Sequence, residues 1–151
     1  MSDNGEMFAS DVVARETEII ADLDELGDQV LQMQYILGCA QDVCELPEEM
    51  RTSYAKVPGC LSNVWVDFGR DGRGRFRMRA ENDALIVKGL LGIVTLIIDG
   101  ASIDDVASWD PRLMECEGLQ HHLVRRRQGV SAVIEQARCF AKRQVEMGGL
   151  R

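Results

Sequence analysis

Between Val12 and Leu37 apolar side chains recur every three or four positions, at Ile19, Ile20, Leu23, Leu26, Val30, Met33 and Leu37. That period predicts helix. Gly27-Asp28 divides the stretch, which predicts two helices with Asp28 capping the second. From Glu45 to Leu61 the period is lost. Pro47, Pro58, Gly59 and mixed polar residues present no helical face, and a connection of that length inside a domain predicts a long structured loop with a functional role. Two runs of period two follow, Asn63–Phe68 and Arg75–Arg79, joined by the Gly- and Asp-rich Gly69–Gly74. They predict a β-hairpin. Within it Arg75, Arg77 and Arg79 alternate with Phe76 and Met78, as on a solvated face opposite a buried one.

The hairpin gives way to Ala84–Ile98, the most apolar run of the chain. It reads as a core helix capped by Asn82 or Asp83 and ended by Gly100. Ser102-Ile103-Asp104-Asp105 resembles a capping box and starts a short helix. Asp110-Pro111 is expected to start another, with proline at the first helical position. Val130, Val133, Ile134, Ala137 and Phe140 then form one stripe along a last helix from about Gly129 to Met147. This order predicts an α+β fold, a small antiparallel sheet packed against several helices. Residues 1–10 carry no such pattern and are expected to be flexible, leaving 11–147 as a single domain.

Composition narrows the function. The chain of 151 residues has 46% hydrophobic residues, enough for one sizeable core. Its formal net charge of -8 repels phosphate backbones and anionic membranes, so neither nucleic acid nor a membrane surface is an expected partner. The Ala84–Ile98 run contains Lys88 and is too short to span a bilayer. The acidic N-terminus lacks the basic and apolar regions of an export signal, and five cysteines, an odd number, argue against a disulfide framework. A cytoplasmic protein with free thiols is expected.

Context separates those cysteines. Cys39, Cys116 and Cys139 fall in predicted helices, where a free cysteine behaves as a small buried hydrophobe. Cys44 lies just past a helix end and its role stays open. Cys60 follows Pro58-Gly59 and immediately precedes a strand, a setting that offers the access a reactive thiol needs. Cys39 and Cys44, with His121-His122 beyond, match no standard zinc or cluster spacing, and no metal site is expected. The adjacent histidines point apart on a helix, so at most one faces a site. Gly69–Gly74 joins two strands rather than a strand to a helix, which makes it a turn and not a phosphate loop. Arg125-Arg126-Arg127 is either a solvated cluster or a dock for an acidic partner.

The segment Lys56-Val57-Pro58-Gly59-Cys60-Leu61-Ser62-Asn63-Val64-Trp65-Val66 resembles the signature loop and first strand of the SufE family. Leu46-Pro47-Glu48-Glu49, Asn82-Asp83-Ala84-Leu85-Ile86-Val87-Lys88-Gly89-Leu90 and Gly118-Leu119-Gln120-His121-His122-Leu123 extend the resemblance in order and spacing from about Leu46 to Ala141. It implies a fold like that of the iron–sulfur scaffold proteins. It also implies that Cys60 accepts persulfide sulfur from a cysteine desulfurase, stimulates that enzyme, and passes the sulfur on to a cluster-assembly scaffold. Pyridoxal phosphate would then belong to the desulfurase, and this chain would carry no cofactor. Leu61 stands where many members have Gln, Val124–Arg127 replaces a Ser/Thr-Pro-Ser-Arg stretch, and no Trp precedes Tyr35. Two other readings are a desulfurase-docking regulator that accepts no sulfur and, ranked below it, a metal- or cluster-binding scaffold. Monomer and homodimer both remain open.

Overall fold

In the computed structural model, residues 10–52, 55–57 and 63–149 are described. Helix α1 (Asp11–Leu26) begins where the Ser10 side chain accepts from Val13 N, and ends at Gly27, whose φ of 64° is the left-handed conformation glycine adopts without strain. Asp28 then caps α2 (Gln29–Gly38), accepting from Val30 N and Leu31 N. The predicted break at Gly27-Asp28 is therefore the observed one. A 3-10 turn over Cys39–Asp42 follows.

The described part of the 45–61 stretch holds one 3-10 turn, Glu48–Met50, and two short pairings with the hairpin. The hairpin consists of β1 (Val64–Arg70) and β2 (Phe76–Asn82), antiparallel in the register Val64↔Asn82 to Arg70↔Phe76. A lone hairpin is marginal in water, and here both outer edges are occupied. Ala80 N donates to Cys44 O at 2.9 Å, Met78 N to the Asp99 carboxylate at 2.9 Å, and Phe76 N to Ala101 O at 2.8 Å. On the other edge Val57 N donates to Val64 O and Val66 N to Ala55 O, both at 2.8 Å.

Val64, Val66, Phe76, Met78 and Ala80 turn one face of the hairpin into the core. The opposite face is not simply solvated. Arg77 and Arg79 reach the Asp67 carboxylate across the strands at 3.2 and 2.9 Å, and Arg79 also touches the Met50 sulfur at 3.4 Å. The core helix α3 (Leu85–Ile98) is apolar on nearly every side because it packs on β2, α1 and α2 at once. Neither Asn82 nor Asp83 caps it. The N-cap is Ala84, without a side-chain cap, because Asp83 is drawn instead onto Asn63.

Ser102 caps α4 (Ile103–Ala107) through Asp105 N, as its motif predicts. Asp110-Pro111 starts no α-helix, only a 3-10 turn at Leu113–Glu115. The N–H groups of Arg112 and Leu113 go to the buried Glu16 carboxylate of α1 at 2.8 and 3.0 Å, a tertiary cap that fixes the chain there. Two more 3-10 turns lead into α5 (Arg127–Gly149). Its Phe140 meets Phe68 and Phe76 with ring centroids 6.2 and 5.9 Å apart, joining α5 to the hairpin. The result is α+β, with five α-helices and a two-stranded antiparallel sheet among the described residues. Among the described residues no helix is long and apolar enough to cross a membrane.

Candidate functional site

Cys60, the candidate reactive thiol, lies in 58–62, outside the described residues; what is described is the frame from which that segment departs and to which it returns. On one side Ala55–Val57 runs antiparallel to β1, with Lys56 opposite Trp65. On the other, Asn63 is held by Asp83, whose two carboxylate oxygens accept from Asn63 N at 3.2 Å and Asn63 Nδ2 at 2.9 Å. Asp83 thereby ties the start of β1 to the start of α3. Sequence reasoning assigned this residue to a helix cap; its use across 20 positions carries no local signal.

Beside this frame runs a cleft of about 310 Å³ between α3 and the start of α5, with Val64, Ala84, Val87, Leu91 and Val130 in its apolar walls. Arg125 and Arg126 stand at its rim. Arg125 has a φ of 69°, a left-handed conformation uncommon for a residue with a Cβ. It falls where the 3-10 turn ending at Leu123 gives way to α5 at Arg127. The three arginines of this cluster are not equivalent. Arg127 donates to Met114 O and Gln120 Oε1, and Arg126 to His122 O at 3.4 Å.

The four described cysteines have separate environments. Cys39 is buried, and burial, followed by the Asp42 carboxylate, pushes its thiol up to about 11. Cys116 is also buried, though between 3-10 turns rather than inside a helix. Burial and a 3.3 Å hydrogen bond to Asp24 push it up to about 11. Cys44 is exposed, yet partial burial and then Asp99 raise its pKa, with Arg79 opposing. Cys139 departs from the expectation of a buried helical thiol. It is exposed on α5, because the stripe that buries Val130 to Ala141 leaves position 139 on its outer side. Among the described residues no group of three His, Cys, Asp or Glu side chains could hold a metal ion.

His121 and His122 do not point apart as expected: their rings meet edge to face with centroids 5.1 Å apart, and what differs is their exposure. His122 is buried with Nε2 3.2 Å from Gln32 Oε1, whereas His121 is exposed. Burial, then His121 and Arg126, lowers the His122 pKa. Its stabilising contribution is therefore complete above the unfolded value near 6.5 and is lost as pH falls through the folded one. Urea midpoints at pH 7.5 and 5.5 are expected to drop more for wild type than for His122→Gln. An equal drop would show that this imidazole is not a source of acid sensitivity.

The chain matches the family model described as SufE, Fe-S metabolism associated domain, over residues 17–141. That match extends the resemblance seen from Leu46 onward back through α1 and α2. The fold is similar to the solution structure of a hypothetical protein from Thermus thermophilus, at 19% identity and a TM-score of 0.74. That alignment covers 87% of this chain and 96% of the other.

Proposed function

The chain belongs to the SufE family, associated with iron–sulfur metabolism, and on that premise we propose that it is a sulfur carrier acting through Cys60. A cysteine desulfurase that has drawn sulfur from L-cysteine holds it as an enzyme persulfide. The Cys60 thiolate attacks the outer sulfur, the S–S bond of the donor breaks, and the donor thiolate leaves with the electron pair. Cys60 then carries the persulfide to a cluster-assembly scaffold. No net oxidation occurs in the transfer, so no cofactor of this chain is required; pyridoxal phosphate serves in the desulfurase. The protein stimulates its desulfurase by removing the sulfur that would otherwise occupy it, and does so in the cytoplasm.

The observation that supports this reading is the frame around residues 58–62. Val57 and Asn63 are held side by side, by the strand pairing and by Asp83, next to an apolar cleft rimmed by arginines. Flanks held in this way allow a thiol to be presented without disturbing the core, and a low-polarity cleft that reaches Val64 is suited to shielding a persulfide from solvent thiols. Intact mass after incubation with a desulfurase and L-cysteine tests it. Wild type is expected to gain about 32 Da, one sulfur atom, and Cys60→Ala to gain nothing. Sulfur on Cys60→Ala at the wild-type level would overturn the assignment. Stimulation of the desulfurase that survives this substitution would instead favour a docking regulator.

A further inference from the structure

The turn that joins β1 to β2 and the strand ends beside it carry three arginines, Arg70, Arg73 and Arg75, which the sulfur-transfer step proposed above does not use. Asp71 builds the turn. Its carboxylate accepts from Arg73 N at 2.8 Å and Arg75 N at 3.0 Å, and Gly74 closes it with a φ of 79°. Around this turn lies a polar cleft of about 390 Å³, bounded by Arg70, Arg73, Arg75, Ser102, Asp104 and Gln144. It is bordered by the start of α4 and the end of α5, so three separate parts of the chain meet there.

What distinguishes these guanidinium groups is that three of them line one cleft without a paired carboxylate among the described residues. Arg70 donates Nε to Gln144 Oε1 and Nη1 to Gly74 O, both at 2.9 Å. Arg75 donates Nη1 to Gly100 O at 3.2 Å. All three acceptors are neutral. They orient the side chains without cancelling charge, and they leave Nη2 of both residues without a partner among the described residues. Five other arginines are paired with carboxylates, Arg77 and Arg79 with Asp67, Arg51 with Glu81, Arg112 with Glu16 and Arg138 with Glu135. Arg15, Arg126 and Arg127 also meet neutral acceptors but do not share one polar cleft with two further arginines. In a chain with 25 acidic residues, no described carboxylate lies within 4.0 Å of a guanidinium nitrogen of Arg70, Arg73 or Arg75. Asp104 in the cleft wall and Asp71 in the turn, whose carboxylate also feels the Arg73 and Arg75 charges, offset two of the three, so the cleft keeps a surplus of one positive charge.

We propose that this cleft is an oxyanion site that binds a phosphate group. Each free Nη2 can donate a charge-assisted hydrogen bond to a phosphate oxygen, and two guanidinium groups already held in place lose little entropy on binding. Ser102 Oγ accepts from Asp105 N, which leaves its hydroxyl proton to donate to a third oxygen. The site lies at the Arg70 end of β1, about 20 Å along the strand from Val64, and uses none of residues 58–62. It therefore stands whether or not Cys60 carries sulfur.

Inorganic phosphate and pyrophosphate, titrated at low salt against a chloride control of equal ionic strength, test the site by amide NMR. Saturable shifts are expected at Gly74, Ser102 and Gly148, and they should weaken as salt is raised. Arg73→Gln, an exposed side chain without a hydrogen bond among the described residues, should weaken binding by about threefold. Arg70→Gln with Arg75→Gln should weaken it by about a hundredfold or more, roughly the loss of two charge-assisted hydrogen bonds. Cys60→Ala should bind as wild type. Vesicles of phosphatidylcholine with phosphatidic acid decide the source of the phosphate group. Arg73-dependent sedimentation indicates a lipid headgroup; soluble-phosphate binding without sedimentation indicates a free phosphorylated ligand. Shifts that do not saturate, or an affinity unchanged by both Arg73→Gln and the double variant, overturn the proposal.

Discussion

At pH 8 iodoacetamide is expected to modify Cys39 and Cys116 about 10-fold more slowly than an unperturbed thiol, and more slowly still once access is counted. The figure follows from two opposing effects. A thiol at its ordinary 9.0 is about one-eleventh thiolate at that pH, whereas one pushed up to about 11 is about one-thousandth, a ratio of roughly 90. A more basic thiolate is the better nucleophile, and a Brønsted slope of about 0.4–0.5 returns a factor of roughly 6–10. Ionisation wins. Burial acts in the same direction, because Cys39 and Cys116 are only 6% and 2% exposed. Raising the pH from 8 to 10 should accelerate both by close to 100-fold, since neither has begun to titrate fully. Peptide mapping after a timed pulse reads each cysteine separately, and labelling of Cys39 or Cys116 as fast as a free thiol would contradict this account.

The same reasoning bears on sulfur. Attack on a donor persulfide needs a thiolate that another protein can reach, and Cys39 and Cys116 meet neither condition. Cys44 and Cys139 are exposed, so they are the sound internal controls: Cys44→Ser and Cys139→Ser should each leave the proposed sulfur adduct in place.

Local signals were legible wherever one or two residues settle the backbone. Gly27-Asp28 announced a helix end and a cap, Ser102 announced another, and the alternation of Phe76 and Met78 announced a buried face; all three devices act over four residues or fewer. The misreadings share a different cause. Asp83 has the composition of a cap but is used by Asn63, and Asp110-Pro111 has the composition of a helix start but is overruled by Glu16, some 96 positions from Arg112. Cys139 looked buried because its neighbours are, and the phase of the stripe sets it outside. Of the candidate site, the Gly-Cys-x-Ser pattern carried the family, whereas the Asp83 anchor and the arginine-rimmed cleft exist only once distant segments are folded together. The glycines of the hairpin turn were read correctly as a turn. Which neutral groups its arginines meet on α5 and after α3 is tertiary information with no local trace.

Gly92→Ala is expected to destabilise the protein by about 3 kcal/mol or more, because α3 crosses the end of α2 at a separation that only hydrogen permits. A Cβ at Gly92 would land on the Cys39 carbonyl group, 2.5 Å from its carbon, and one at Gly89 would lie 2.8 Å from Ile36 Cγ2 and 2.9 Å from the Ile36 carbonyl carbon. These obstacles are largely backbone, so no rotamer change relieves them, and overpacking of that kind costs about 1–3 kcal/mol or more. In a chain of 151 residues the melting temperature should fall by roughly 10 °C. Gly38 supplies the opposite sign. It ends α2 with a helical φ of -61° and nothing within 4 Å of a built Cβ, so Gly38→Ala should stabilise by up to about 1 kcal/mol through helix propensity alone. Urea unfolding of both variants reads the two effects under one set of conditions. A Gly92→Ala loss below about 1 kcal/mol would mean that the helices can separate at little cost. The 39–45 segment that lends its Cys44 carbonyl to the edge of β2 would then be held by something other than this close crossing.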